Sequence, residues 1–163
     1  SFAKLVHEGK YSAAIKAFEN LPLSVKKSEE VLFQVGACFE KLGNFEAASK
    51  RFYETLKINP NNFKAANQLA LYFRKKNQPY KAIEFAEHAI RANPFFTPSL
   101  NNLGRCQTQI GLISDGLKNL EKSIKRNPEQ PQLFIFILKT RALVSLDSVQ
   151  TKDLYKLGSL YPK

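Results

Sequence analysis

The chain has 163 residues, with 25 Lys or Arg against 14 Asp or Glu, so its formal net charge is +11. This length suffices for a domain with a real core, and an apolar content of 44% argues against disorder. The apolar runs are far too short to span a bilayer, and no N-terminal stretch has the pattern of a secretory signal. These features exclude membrane-spanning and fibrous classes and favour a cytoplasmic location.

Several residue types recur at an interval of 34 residues. Prolines stand at this spacing, and the first three of them follow an asparagine: Pro60, Pro94, Pro128 and Pro162. Small residues recur at Gly36, Ala70 and Gly104, and a second small series runs through Ala14, Ala48, Ala82 and Gly116. A turn series runs through Gly9, Gly43, Asn77, Gly111 and Ser145. Agreement of these registers at one interval indicates a tandem repeat.

Each unit reads as two amphipathic helices. Apolar residues recur three and four positions apart, for example from Leu32 to Leu42 and from Phe45 to Leu56, which lines up one face of a helix. Gly43 ends the first helix and the Asn59-Pro60 pair ends the second. The same spacing predicts helices at 1–8, 11–21, 29–42, 45–58, 63–76, 79–92, 97–110, 113–126, 131–144 and 148–160.

This unit resembles the tetratricopeptide repeat, a 34-residue helical hairpin. In one unit the pattern reads Leu32, Val35, Gly36, Phe39, Ala48, Phe52 and Pro60. The resemblance implies an all-α, right-handed superhelix (α-solenoid) of antiparallel hairpins, in which the first helices of successive units line the concave face. It covers essentially the whole chain, although Leu32, Ala66, Leu100 and Phe134 replace the customary Trp.

We expect a single array over residues 1–163. Its units are a partial one at about 1–28, three complete ones at 29–62, 63–96 and 97–130, and a degenerate one at 131–163. The last unit is degenerate because Leu138 and Gln150 stand where small residues belong. Because the chain does not begin with Met, we expect a fragment of a longer protein, whose uncovered array ends could self-associate.

No constellation of residues predicts catalysis, a cofactor or a metal site. His7 and His88 lie more than two units apart, so we assign them structural or solvent roles. Cys38 and Cys106 occupy equivalent places two units apart, too distant to form a disulfide. The glycines follow the repeat period and form no phosphate-binding loop. We therefore expect a protein that is not an enzyme.

Helical periodicity predicts which side chains face the concave groove. These candidate peptide-binding residues are Phe33, Gln34, Lys64, Asn67, Gln68, Leu71, Arg74, Lys75, Asn101, Asn102, Arg105, Thr108, Gln109 and Lys139. Phe136 adds an apolar spot beside them. The units at 63–96, 97–130 and 131–163 carry net charges of +4, +2 and +3, against −1 for 29–62. The groove is therefore expected to be amide-rich and basic.

Amide side chains match the backbone of an extended peptide, and the cations would hold acidic side chains or a terminal carboxylate. We therefore predict a scaffold that binds an acidic or extended segment of another protein. The resemblance offers a similar groove in the arrays of sugar-transferring enzymes, so the substrate-recognition part of a transferase is an alternative. The clamp that grips chaperone tails is disfavoured, because Phe33 and Ala37 stand where it needs Lys and Asn. RNA binding is a weaker alternative, because most aromatic residues fall on the packing stripe.

Overall fold

The structure, a computed structural model, describes residues 1–144. These residues form ten α-helices and no strand. The helices are α1 (Phe2–His7), α2 (Tyr11–Glu19), α3 (Leu23–Lys26), α4 (Glu29–Lys41), α5 (Phe45–Ile58), α6 (Phe63–Lys75), α7 (Pro79–Ala92), α8 (Thr97–Gln109), α9 (Ile113–Arg126) and α10 (Pro131–Leu143). Nine of the ten helices predicted from the spacing are present within two residues of their expected ends. The tenth, at 148–160, lies outside the described residues, and α3 was not predicted.

The hairpins turn where the repeated turn series predicts. Gly9, Gly43 and Gly111 have φ values of +71°, +77° and +90°, and Asn77 has a φ of 55° at the equivalent position. Glycine and asparagine adopt this left-handed conformation at lower cost than other residues. The turns join α1 to α2, α4 to α5, α6 to α7 and α8 to α9, so that the two helices of each unit run antiparallel.

Sequence signals also start the helices. The side chains of Asn44 and Asn62 accept hydrogen bonds from the backbone N–H groups of Ala47 and Ala65, which caps α5 and α6. Pro79 and Pro131 occupy the first position of α7 and α10, where a missing N–H group costs nothing. The boundaries therefore follow from local chemistry as well as from packing.

Small residues let the two helices of a unit cross closely. A Cβ atom at Gly104 would lie 2.7 Å from the backbone oxygen of Gly116, which is the small residue of the facing helix. The core forms a row of clusters along the array, and one of them joins Ala48 and Phe52 to Ala65 and Leu69 of the next unit. Each unit thus buries its apolar face against its neighbour, as stacked repeats must. In this packing α4, α6, α8 and α10 form one face of the array, here called the first-helix face.

The part of the chain that the structure describes, residues 1–144, contains both cysteines. Both cysteines are free thiols and both are buried, and burial raises the pKa of each thiol. Within this part of the chain, no helix combines the length and apolar character needed to cross a bilayer. The same residues contain no group of three His, Cys, Asp or Glu side chains placed to hold a metal ion.

Candidate functional site

Most candidate residues of the first-helix face divide among three clefts and a buried layer, and Asn101 and Lys139 lie outside these groups. Arg74, Arg105, Thr108 and Gln109 line one cleft of about 400 Å³. Phe33, Gln34 and Lys64 line a second cleft of about 510 Å³ together with two carboxylates. Gln68, Leu71 and Lys75 line a narrow third one beside Phe45. Asn67 and Asn102 form the buried layer, and Lys139 is exposed on α10.

The cleft that contains Arg74 and Arg105, here called the guanidinium cleft, lies where α6, α8 and α10 end. Arg74 and Arg105 line it together, as the predicted groove requires. The apolar part of its lining comes from Ile113, Phe136, Leu143 and Val144. Leu143 is 86% exposed, so its apolar surface is open to solvent. The cleft thus combines two cations with uncovered apolar surface.

Neighbouring side chains fix the two arginines. The Arg74 Nε atom donates a hydrogen bond to the Asn102 Oδ1 atom at 3.2 Å. The Arg105 guanidinium stacks on the ring of Phe136, with its Cζ atom 4.3 Å from the ring centroid. This is a favourable cation–π geometry. Both side chains are therefore held in place before any ligand arrives.

The electrostatics of this cleft favour an anion. Burial lowers the pKa of Arg105, and the positive charge of Arg74 lowers it further. Neither arginine forms an ion pair with a carboxylate among residues 1–144. An anion bound between them would relieve their mutual repulsion, and a guanidinium can hold a carboxylate with two parallel hydrogen bonds.

The asparagines lie beneath this cleft. Asn67 and Asn102 are each only 6% exposed. The Asn102 Nδ2 atom donates to the Asn67 Oδ1 atom at 2.9 Å, and the Ser99 hydroxyl donates to the same oxygen at 3.3 Å. This short network links α6 to α8 and ends at Arg74. Because these asparagines are buried, they are better placed to hold Arg74 in position than to contact a ligand.

Other amides of this face also bridge neighbouring repeats. Gln68 donates to Glu40 of the preceding unit, and Asn101 donates to Gln130 of the following linker at 2.7 Å. Gln109 donates to Asn77 of the preceding unit. The sequence predicted Gln68, Asn101 and Gln109 as groove residues. Their spacing did not show that each of them forms a hydrogen bond within the array.

Sequence reasoning missed part of the guanidinium cleft. Ile113 belongs to α9, a second helix, and was therefore not expected on the groove side. Thr140 and Leu143 at the end of α10, and Val144 just after it, complete the lining. The repeat pattern is least regular in this last unit, so periodicity gave no signal for them. Phe136 was noted only as an apolar spot, not as the platform beneath Arg105.

Comparison with known proteins places this architecture in a family. A family model for the tetratricopeptide repeat matches residues 63–96, the unit that the 34-residue interval predicts. A structure described as the crystal structure of MamA superposes with a TM-score of 0.85 at 18% identity, covering 98% of this chain and 93% of that one. Residues 63–96 are a tetratricopeptide repeat. The predicted fold class, an all-α solenoid of stacked hairpins, is confirmed.

Two curated relatives share parts of this repeat array. BBSome complex member BBS4 of Bos taurus is 26% identical over 120 residues, which is 74% of this chain and 23% of that protein. A probable UDP-N-acetylglucosamine–peptide N-acetylglucosaminyltransferase, SPINDLY of Solanum lycopersicum, is 27% identical over 90 residues, 55% of this chain and 10% of that protein. The chain therefore spans less than a quarter of the length of either relative. A tetratricopeptide array points to a scaffold for protein interactions.

Proposed function

We propose that this tetratricopeptide array is a non-catalytic scaffold that binds an acidic segment of a partner protein across its first-helix face. One carboxylate of that segment lies between Arg74 and Arg105, and a neighbouring apolar side chain packs beside Phe136. The observation that carries the proposal is the pair of fixed arginines in one cleft, without an ion-pair partner among residues 1–144.

Preorganisation supports this role. Arginine side chains lose rotamer freedom when they bind, which lowers affinity. Here Asn102 holds Arg74, and Phe136 holds Arg105, before a ligand is present. Part of the entropy loss has therefore already occurred during folding.

Recognition in this proposal depends on charge more than on the peptide backbone. Asn67, Asn102 and Gln68 already bond to neighbouring repeats, so they are poorly placed to form a ladder along an extended peptide. The exposed cations Lys64, Lys75 and Lys139 remain on the same face. We assign them to attracting the acidic segment, and the arginine pair to holding it.

Fluorescence polarisation with labelled peptides tests the proposal. The probe is a fluorescein-labelled twelve-residue peptide of alternating Glu and Leu, and its control has Gln in place of every Glu. Hydrogen bonds to charged groups contribute about 1.5–3 kcal/mol each. Replacing Arg74 and Arg105 together by Ala should therefore weaken binding of the Glu peptide by at least about tenfold.

The matched control removes the same charge from the opposite face. Lys50 and Lys122 are exposed on α5 and α9, and their double replacement by Ala should change the Kd less than about twofold, since isolated surface charges contribute little. Equal losses in both double variants would show that only net charge matters. Equal affinity for the Gln peptide would contradict the role of the carboxylate.

The transferase alternative rests on the similarity to SPINDLY. In this alternative, the array would bind the protein substrates of a catalytic domain. It assigns the same cleft the same ligand chemistry, so the peptide experiment applies to it as well. RNA binding has less support. The ring of Phe136 is covered by Arg105, and Phe33 lies against Phe52 with 5.5 Å between ring centroids. Neither ring therefore offers an open platform on which a base could stack.

A further inference from the structure

The second helix of the first unit is shorter than its counterparts. Helix α2 has 9 residues, whereas α5, α7 and α9 have 14 each. Pro22 cannot continue a helix, because its nitrogen lacks a hydrogen and its ring collides with the preceding turn. Leu21 is also larger than the residues at the equivalent position of the later units. These residues, Thr55, Ala89 and Ser123, are small and fully buried. The last turn of α2 is therefore missing, and the chain forms the short helix α3 instead.

The missing turn leaves a cleft of about 720 Å³ between α2, α3, α4 and α5. This cleft is here called the short-helix cleft. Its floor consists of Phe18 and Leu32, which are 6% and 5% exposed. Its rims carry Leu23 and Ile58, which are 65% and 47% exposed. Apolar side chains thus stand uncovered on both sides of an apolar floor.

The charges around this cleft are mainly positive. Lys26, Lys27, Arg51 and Lys57 line it, together with Glu19 and Glu54. Arg51 and Glu54 neutralise each other within the cleft, because the Glu54 Oε2 atom lies 2.8 Å from the Arg51 Nη1 atom. Three lysines then remain against the single carboxylate of Glu19. Lys27 and Lys57 form no ion pair among residues 1–144.

The aromatic floor itself lies under cations. The Lys26 Nζ atom is 5.8 Å from the ring centroid of Phe18, and the Arg51 Cζ atom is 5.3 Å from it. A side chain that entered the cleft would therefore meet apolar surface at its tip and positive charge around its base.

From this arrangement we infer that the short-helix cleft docks one helical turn of a partner protein, bearing a large apolar side chain flanked by Asp or Glu. The partner turn would fill the place that the last turn of a full-length second helix occupies in the other units. Its apolar side chain covers Leu23 and Ile58, and its carboxylates lie beside Lys27 and Lys57. This site lies on the second-helix side of the array and does not depend on the guanidinium cleft.

Selection from a displayed peptide library tests this inference. The library consists of helical twelve-residue peptides with one randomised apolar position and randomised flanks, and it is selected on the whole chain. Selected peptides are then measured against Ile58→Glu, which places a carboxylate on the rim. The control is Leu42→Glu, since Leu42 is 49% exposed and lies outside the cleft. A further double variant, Lys27→Glu with Lys57→Glu, keeps the apolar surface and reverses the charge.

We expect acidic residues to be enriched beside Leu or Phe in the selected peptides. Their affinity should fall at least tenfold in Ile58→Glu and at least threefold in the double charge variant. It should stay within twofold in Leu42→Glu and in the variant that lacks Arg74 and Arg105. Far-UV circular dichroism shows whether each variant is folded. If Ile58→Glu is unfolded, the double charge variant decides the question.

Other outcomes would overturn the inference. These are a selection without enrichment, a consensus without acidic residues, or peptides whose affinity survives both cleft variants. Peptides that lose affinity only without Arg74 and Arg105 belong to the other cleft. Binding to phosphatidylserine vesicles that is lost in the double charge variant, without peptide binding, would assign the surface to a membrane instead.

Discussion

Replacement of Gly104 by Ala measures how strictly the close crossing of α8 and α9 limits side-chain size. The added Cβ atom would lie 2.6 Å from the Leu120 Cγ atom and 2.7 Å from the backbone oxygen of Gly116. The leucine can adopt another rotamer, but the oxygen can move only with α9. The two helices must therefore separate, which loosens packing along their whole contact.

The size of the effect follows from two opposing terms. Overpacking of a core costs about 1–3 kcal/mol. Exchange of Gly for Ala inside a helix favours folding by about 1 kcal/mol. Because a backbone atom blocks the new methyl group, we place the overpacking cost at its upper end. We expect a net loss of about 2 kcal/mol, which lowers Tm by about 4–8 °C in a chain of this size.

Gly36→Ala is the matched control at the equivalent position of an earlier unit. The three heavy atoms nearest its Cβ atom all belong to side chains: the Phe52 Cε1 atom at 2.8 Å, the Phe52 Cδ1 atom at 3.1 Å and the Arg51 Cβ atom at 3.2 Å. We expect this variant to lose less than about 1 kcal/mol. Urea and thermal unfolding, followed by circular dichroism, measure both. Equal stability of the two variants, or a gain in Gly104→Ala, would refute the role given to the backbone oxygen.

Further predictions concern the thiols, a helix cap and an ion pair. Burial raises the thiol pKa values of Cys38 and Cys106, so at alkaline pH the unfolded chain releases protons that the folded chain keeps. The free energy of unfolding should therefore fall as the pH rises above about 8.5. Ellman's reagent should react quickly with these thiols only after denaturation. Asn44→Ala should cost about 1 kcal/mol in urea unfolding, whereas Asn44→Ser should restore most of it. Glu121→Gln leaves the nearly buried Arg141 without its carboxylate partner and should lower the free energy of unfolding by about 1–3 kcal/mol in the same assay. An unchanged free energy of unfolding would contradict this and would mean that solvent replaces the contact.

Most of the fold could be predicted from the 34-residue repeat interval. Turn positions, helix ends and the small residues at crossings all recur, so a register found at Gly43 could be transferred to Asn77 and Gly111. Helix α3 escaped prediction because it exists where the repeat fails. Pro22 was visible in the sequence, but the consequence of a shortened α2 depends on the neighbouring α5, which local patterns do not describe.

The candidate site was harder to predict than the fold. Periodicity shows which side of a helix faces outward, but it does not show where each side chain on that side points. Asn67 and Asn101 occupy the same position of successive units, yet Asn67 is buried under Asn102 while Asn101 bonds to the following linker. Arg74 and Arg105 are not at equivalent positions, since 31 residues separate them instead of 34. Only the stacking of whole helices brings these two side chains into one cleft.

The division of polar side chains on the first-helix face has a physical cause. An amide presents both donor and acceptor groups, so amides on neighbouring repeats can satisfy one another, as Asn67 and Asn102 do. Guanidinium groups have donors only and repel each other, so Arg74 and Arg105 cannot pair in this way. Stacking of the repeats therefore pairs the amides with one another, whereas neither guanidinium group has a carboxylate partner among residues 1–144. The same logic explains why the residues that hold the arginines, Asn102 and Phe136, are uncharged: they fix the position of each charge without neutralising it.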